Sequence, residues 1–210
     1  MPTPLLSRED LLSRLSETFR RYGYEGTSMS RIAEATGLGK ASLYHYFPEG
    51  KAQMAAAVIE WVQKWFEKRV FGPLESVHPP RQRIVAMLET LGSYYGAGQC
   101  ACLPALFALG DENQMFREPI FRFFNRWLAA LAQTLTDSGL ARDIAQRRAY
   151  DALERIQGAV VLGRALGSDR IFAAMAVELP DQLLAGAGRS TMWTTRLPRL
   201  PAAPAVPRAG

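Results

Sequence analysis

Glycines at positions 23, 37, 39 and 50 cut the start of this chain into three short pieces, and each piece repeats its apolar residues at helical spacing. Ser7, with Asp10 three residues on, can cap a first helix on which Leu11, Leu12, Leu15, Phe19 and Tyr22 share one face. Gly23 stops it. Thr27 or Ser28 caps a second helix with Met29, Ile32 and Ala33 inward, ending at Gly37. After Gly37-Leu38-Gly39 a third helix runs from about Lys40 to Phe47, with Leu43 and Phe47 one turn apart, until Pro48 and Gly50 break it. Two short helices around a tight glycine turn make a helix-turn-helix, whose second helix enters the major groove of DNA.

The rest of the chain keeps the helical period. Met54, Val58, Trp61, Val62 and Trp65 mark a long fourth helix, and Gly72-Pro73 and His78-Pro79-Pro80 punctuate the chain beyond it. Ile84, Met87, Leu88, Leu91 and Tyr95 define another, 96–104 reads as a loop, and Phe116 to Leu135 form a long helix with Pro119 near its start. Helices over about 144–166 and 169–185 complete the pattern, with Pro180 shortening or kinking the second. No alternating strand pattern or internal repeat is found, so the expected fold is all-α. Pro198, Pro201, Pro204 and Pro207 recur every third residue in a tail over 189–210 that suits an extended, solvated conformer.

The formal net charge is +5, and its location limits what it means. Residues 1–51 carry a net charge of +1, residues 52–188 are balanced, and the tail supplies +4. The folded body is therefore not basic overall, and a DNA-binding reading must rest on a motif. The apolar fraction of 48% suffices for a packed core. No stretch reaches the roughly 18 consecutive apolar residues of a membrane helix, no secretory signal is visible, and the two cysteines make no disulfide framework. A cytoplasmic protein without membrane partner or cofactor is expected.

Gly37 to Lys51, GLGKASLYHYFPEGK, also resembles a fragment of a phosphate-cradling nucleotide loop. That pattern fails: it would put Glu34 where the first glycine belongs and Ala41 where the magnesium-binding hydroxyl belongs, with no strand before it. Read as a helix, the same residues leave Lys40, Ala41, Ser42, Tyr44, His45 and Tyr46 facing outward. These offer a cation, hydroxyls, an imidazole and phenols, which are donors for phosphate oxygens and base edges.

The set Thr27, Ser28, Ile32, Ala33, Gly37, Leu38, Leu43, Tyr44, Phe47 and Lys51, at this spacing, strongly resembles the N-terminal domain of TetR/AcrR-family transcriptional regulators. The resemblance covers roughly residues 5–66, and it implies a helix-turn-helix domain joined through a shared long helix to an effector-binding and dimerisation domain over 67–188. It implies that Lys40 and Ala41 read base edges, that Ser42, Tyr44 and Tyr46 hold phosphates, and that His45 meets a base edge or sugar. Thr27 or Ser28 would hold a phosphate at the second helix's N-terminus, and Lys51 would clamp the DNA backbone. Gly39 stands where many relatives carry Ser. The three residues Pro48, Glu49 and Gly50 between aromatic and lysine, where most relatives have two, resemble the LmrA/YxaF-like subgroup.

The implied function is a homodimeric repressor that binds a palindromic double-stranded DNA operator and leaves it when a small hydrophobic or aromatic effector binds. Trp61, Trp65, Tyr94, Phe107, Phe124 and Trp127 are the expected lining of the effector cavity. Leu153, Ile156, Val160 and Leu162, then Ile171, Phe172, Met175, Leu179 and Leu183, are expected to pair the last two helices with their copies across a two-fold axis. His45 and His78 are too few and too far apart to suggest a metal site, and no catalytic constellation stands out. Cys100-x-Cys102 reads as a buried, inert pair or, alternatively, a thiol sensor. A DNA-binding activator or constitutive architectural protein with no effector, and a helical enzyme or carrier with a vestigial reading module, are the competing readings.

Overall fold

A computed structural model describes residues 6–96, 100–109 and 113–187; the tail over 189–210 lies outside the described residues. The described residues form ten α-helices and no strand: α1 (Arg8–Gly26), α2 (Met29–Thr36), α3 (Lys40–Tyr46), α4 (Lys51–Phe66), α5 (Gly72–Leu74), α6 (Pro80–Tyr94), α7 (Leu103–Ala108), α8 (Asn113–Asp137), α9 (Arg142–Leu166) and α10 (Arg170–Leu184).

The start of the chain folds as its glycines and caps dictate. Ser7 Oγ accepts from the Asp10 amide at 3.0 Å and opens α1, and Ser28 Oγ accepts from the Arg31 amide at 3.3 Å and opens α2. Gly23 leaves helical geometry at φ 68°, ψ 179° and kinks the end of α1. Gly37 closes α2 in the left-handed region at φ 72°, donating to the Ala33 carbonyl at 2.9 Å. The chain then reverses in two residues, and α3 leaves with Leu43 and Phe47 buried beside Leu15, Phe19 and Ile32 in one core cluster. Each such side chain contributes about 1.5–3 kcal/mol by leaving water, enough to hold a seven-residue helix that would not persist alone.

Pro73 lacks the N–H that would continue the α-helical ladder, yet the chain does not stop there. A π-helical turn over Glu67–Phe71, closed by the Gly72 amide on the Glu67 carbonyl, carries α4 directly into α5. The Gly72-Pro73 pair is thus a change of helical pitch, not the break expected from sequence. Arg126 of α8 fastens the turn, pairing with Glu67 at 2.7 Å and Glu75 at 2.6 Å.

In the larger half, α8, α9, α10 and α6 pack on one another behind α4. Phe66, Phe71, Phe123 and Trp127 form its aromatic centre, with Phe66 4.8 Å from Phe123 and 5.5 Å from Trp127. Both Pro119 and Pro180 lie inside helices that continue past them, so Pro180 does not shorten α10. Helix α7 has no counterpart in the sequence pattern; it occupies the end of the 96–104 loop and runs to Ala108.

The expected dimer stripe needs correction. Leu153, Ile156, Val160, Phe172, Met175, Leu179 and Leu183 are all buried within the single chain, because α9 and α10 also pack against α8 and α6. The apolar residues left outside are Val161, Leu162 and Leu166 of α9 and Val177 of α10, between 52% and 75% exposed.

Candidate nucleic-acid interface

Helix α3 sits with its inner side fixed by Leu43 and Phe47 and its other side open. Lys40, Ala41, Ser42, Tyr44, His45 and Tyr46 are all exposed, as the spacing predicts, and together they form one polar and aromatic surface. His45 and Tyr46 meet edge to face at 5.9 Å. Tyr44 is 48% exposed, but one edge of its ring rests on the following turn: a Cβ at Gly50 would lie 3.4 Å from Tyr44 Cε1. Gly50 adopts φ 69°, a conformation that suits glycine and lets the three-residue turn close beneath that ring. The Glu49 amide donates to Gln53 Oε1 at 3.1 Å, so Gln53 reaches back to cap the start of α4.

Two expected DNA contacts are placed differently. Thr27 is fully buried, and its hydroxyl donates to the Gly23 carbonyl at 2.5 Å, so it caps the kinked end of α1 and cannot reach a phosphate. Ser28 is exposed at the α2 N-terminus and keeps the anion-facing position. Lys51 bends inward: its ammonium donates to the Tyr24 carbonyl at 3.0 Å, lies 4.1 Å from the Tyr24 ring centroid, and is 4.0 Å from a Glu25 oxygen. Its side chain is 25% exposed, which fits a brace between α1 and α4 better than a clamp on DNA.

Tyr24 in turn ties the reading head to the larger half. Its ring lies 6.1 Å from Phe107 and 5.5 Å from Phe116, and Phe19 meets Phe107 edge to face at 5.5 Å. Phe107, expected in an effector cavity, is fully enclosed at this junction between α1, α7 and α8. Trp127 is likewise fully enclosed, its indole N–H donating to Met87 Sδ at 3.5 Å. These two fill space instead of lining it. Trp61 and Phe124 are half-buried against the core, and the Trp65 ring lies tilted against Tyr94 at 4.6 Å.

Tyr94 meets residues that periodicity did not mark. The Arg20 guanidinium of α1 lies 4.4 Å from its ring centroid, and Tyr95 adjoins it at 5.0 Å. Burial raises both phenols well above the ordinary tyrosine range. It also raises the Cys102 thiol, which opposes the thiolate form a reactive sensor requires. Cys100 and Cys102 are both unpaired. Among the described residues no group of three or more His, Cys, Asp or Glu gathers as a metal site, and no helix is long and apolar enough to cross a membrane.

A compact head with an exposed polar second helix, mounted on a larger helical body, defines a helix-turn-helix transcriptional regulator. Residues 11–58 match the bacterial regulatory proteins of the tetR family, and residues 80–178 match the C-terminal domain of LmrA/YxaF-like transcriptional regulators. The chain belongs to the TetR family, in its LmrA/YxaF-like branch. It is 26% identical to the regulator YxaF of Bacillus subtilis over 74% of this chain and 84% of YxaF. Against LmrA of the same organism the identity is 23%, over 84% of this chain and 96% of LmrA. The crystal structure of a TetR transcriptional regulator from Legionella pneumophila superposes with a TM-score of 0.74 at 19% identity, covering 86% of this chain and 99% of that one. The protein is therefore a DNA-binding transcriptional regulator and not an enzyme.

Proposed function

We propose that this regulator is a cytoplasmic homodimeric repressor that holds a palindromic operator with α3 and releases it when a small molecule binds the larger half. The observation that carries the reading is the outer side of α3, where six consecutive-turn residues are exposed while Leu43 and Phe47 anchor the helix beneath them. Lys40 and Ala41 at its N-terminal end are suited to base edges, and Ser42, Tyr44 and Tyr46 to phosphates, with His45 on a base edge or sugar. Ser28 adds an anion-facing helix start.

Dimerisation follows from the exposed face of Val161, Leu162, Leu166 and Val177, which two-fold pairing would remove from water. Two heads held about 34–36 Å apart would meet successive major grooves on one side of the duplex. Release needs a connection from body to head, and α4 supplies one, since Gln63 Nε2 donates to the Pro119 carbonyl of α8 at 2.8 Å. An effector that favours a different α4 position would shift the population away from the DNA-competent spacing.

Binding of the purified protein to a duplex spanning its own promoter, followed by fluorescence anisotropy over a range of salt concentrations, tests the reading. A steep loss of affinity with salt, and protection of a two-fold symmetric site, are expected. Equal affinity for unrelated duplexes of the same length would contradict it.

A further inference from the structure

Two arginines are held over one exposed phenol where α1 ends and α2 begins. The Arg31 guanidinium lies 4.3 Å from the Tyr22 ring centroid, and the Arg21 guanidinium lies 5.3 Å from it. All three side chains are exposed, Tyr22 at 37% although its spacing puts it with the inner residues of α1. Arg31 Nη1 also donates to the Gly26 carbonyl, which draws the guanidinium back to the start of its own helix. Among the described residues neither Arg21 nor Arg31 forms an ion pair.

The nearby acids do not answer these two cations. Glu17 and Glu34 share a groove of about 340 Å³ with them, but Glu17 stands one turn before Arg21 on α1 and Glu34 one turn after Arg31 on α2. Both acids therefore lie toward the groove's other end, where Arg14 Nη1 donates to the Thr36 carbonyl at 3.1 Å. Glu25 lies 4.0 Å from the Lys51 ammonium. The positive end of the groove is the end at Ser28, which opens α2. A guanidinium donates in a planar fork that matches phosphate, and a ring beneath it fixes its orientation.

In a helix-turn-helix the first of the two helices crosses the DNA backbone while the second lies in the groove. Here α2 is the crossing helix, and the lysine expected to clamp the backbone is turned in on Tyr24. We infer that Arg21 and Arg31, aligned by Tyr22, hold phosphates of the DNA backbone beside the groove that α3 enters. The inference rests on the reading of DNA by α3 and adds the end of α1 to the interface. Tyr22 is a positioning residue: its ring meets the guanidiniums, and they meet the phosphates. Such contacts carry charge and no base identity, so they raise affinity for every duplex alike.

Anisotropy titration of the full chain over a range of salt concentrations, with the operator and with an unrelated duplex of equal length, tests the inference. Arg21→Gln and Arg31→Gln should each lower the salt slope by roughly 0.9 on both duplexes, the share of one phosphate contact. The order of base-pair preference on the operator should stay unchanged. Tyr22→Ala should lower the slope as well, and Tyr22→Phe, which keeps the ring, should retain the wild-type value. Arg21 is exposed, so Arg21→Gln decides the matter if Arg31→Gln does not fold. A folded Arg21→Gln with the wild-type slope, or a loss confined to one base pair, overturns this inference while the reading by α3 stands. A wild-type chain whose affinity ignores both salt and sequence overturns the two together.

Discussion

Lys51 and Tyr24 are joined twice, by a 3.0 Å hydrogen bond from the ammonium to the backbone carbonyl and by the ammonium's position 4.1 Å from the ring centroid. The pair ties the start of α4 to the kinked end of α1, where the family pattern led us to expect a lysine on the DNA backbone. A hydrogen bond from a charged donor contributes about 1.5–3 kcal/mol when partly sheltered, and the ring adds ~0.5–1 kcal/mol. Lys51→Met is expected to lower unfolding stability by about 1–2 kcal/mol, given the 25% exposure of the side chain. The salt slope of operator binding should stay at the wild-type value. A slope reduced by about one charge would place Lys51 on a phosphate instead.

Trp127 is a core residue by every contact it makes, packed among Phe66, Phe71 and Phe123 with its N–H on Met87. Trp127→Ala should cost about 3–5 kcal/mol in urea unfolding. A cost below ~1 kcal/mol would mean that the indole borders an open cavity after all.

What could be read from sequence, and what could not, divides along one line. Local signals were legible: Gly37 at φ 72° ends α2, Ser28 caps it, and Leu43 and Phe47 turn inward at one-turn spacing. Periodicity also showed that Trp127 points inward, but it cannot separate a ring that lines a space from one that fills it. Helix α7 has six residues, too few to establish a period. The inward bend of Lys51 depends on a carbonyl 27 residues away, and a buried polar cluster joins Arg20, Tyr94 and Gln157 from three helices. Tyr95 was expected on the buried side of its helix and Tyr94 in the lining of the effector cavity. Both phenol oxygens are enclosed because the end of α6 is covered on more than one side.

The Tyr95 hydroxyl is fully enclosed, and no neighbour meets it at ordinary hydrogen-bond geometry. Tyr95→Phe is expected to raise unfolding stability by about 1 kcal/mol. A loss of more than ~1 kcal/mol would show that the hydroxyl already has a partner within the fold.

Acid should weaken the joint between α5, α6 and α8. Arg83, 7% exposed, donates to the Leu74 carbonyl and to Asp137 Oδ2, both at 2.9 Å. Hydrogen bonds from Gln133 and Arg83 hold the Asp137 carboxyl below the ordinary range. A carboxyl lowered on folding stabilises fully above its unfolded pKa of about 3.9, and that contribution is lost as pH falls through the folded value. The melting temperature should drop below about pH 4, and Asp137→Asn should be less stable at neutral pH with a shallower acid loss. An unchanged acid profile in Asp137→Asn would contradict the assignment.

The outer face of α9 and α10 gives a clean test of assembly, because its residues are not needed inside the protomer. Leu162→Glu with Val177→Glu should yield a folded monomer in light scattering, with native helix content by circular dichroism. A dimer of undiminished stability would place the interface elsewhere.

The central claim is that the exposed side of α3 reads operator DNA. Anisotropy titration of wild type and Lys40→Ala against the operator and its single-base-pair variants tests it most directly. The wild type should discriminate at each base pair under α3. Lys40→Ala should lose preference at one position in each half-site, costing about 1–3 kcal/mol against the best operator, while its discrimination elsewhere persists. If Lys40→Ala binds every variant with the wild-type order and affinity, and Ala substitutions at Tyr44, His45 and Tyr46 do the same, then α3 is not the reading helix.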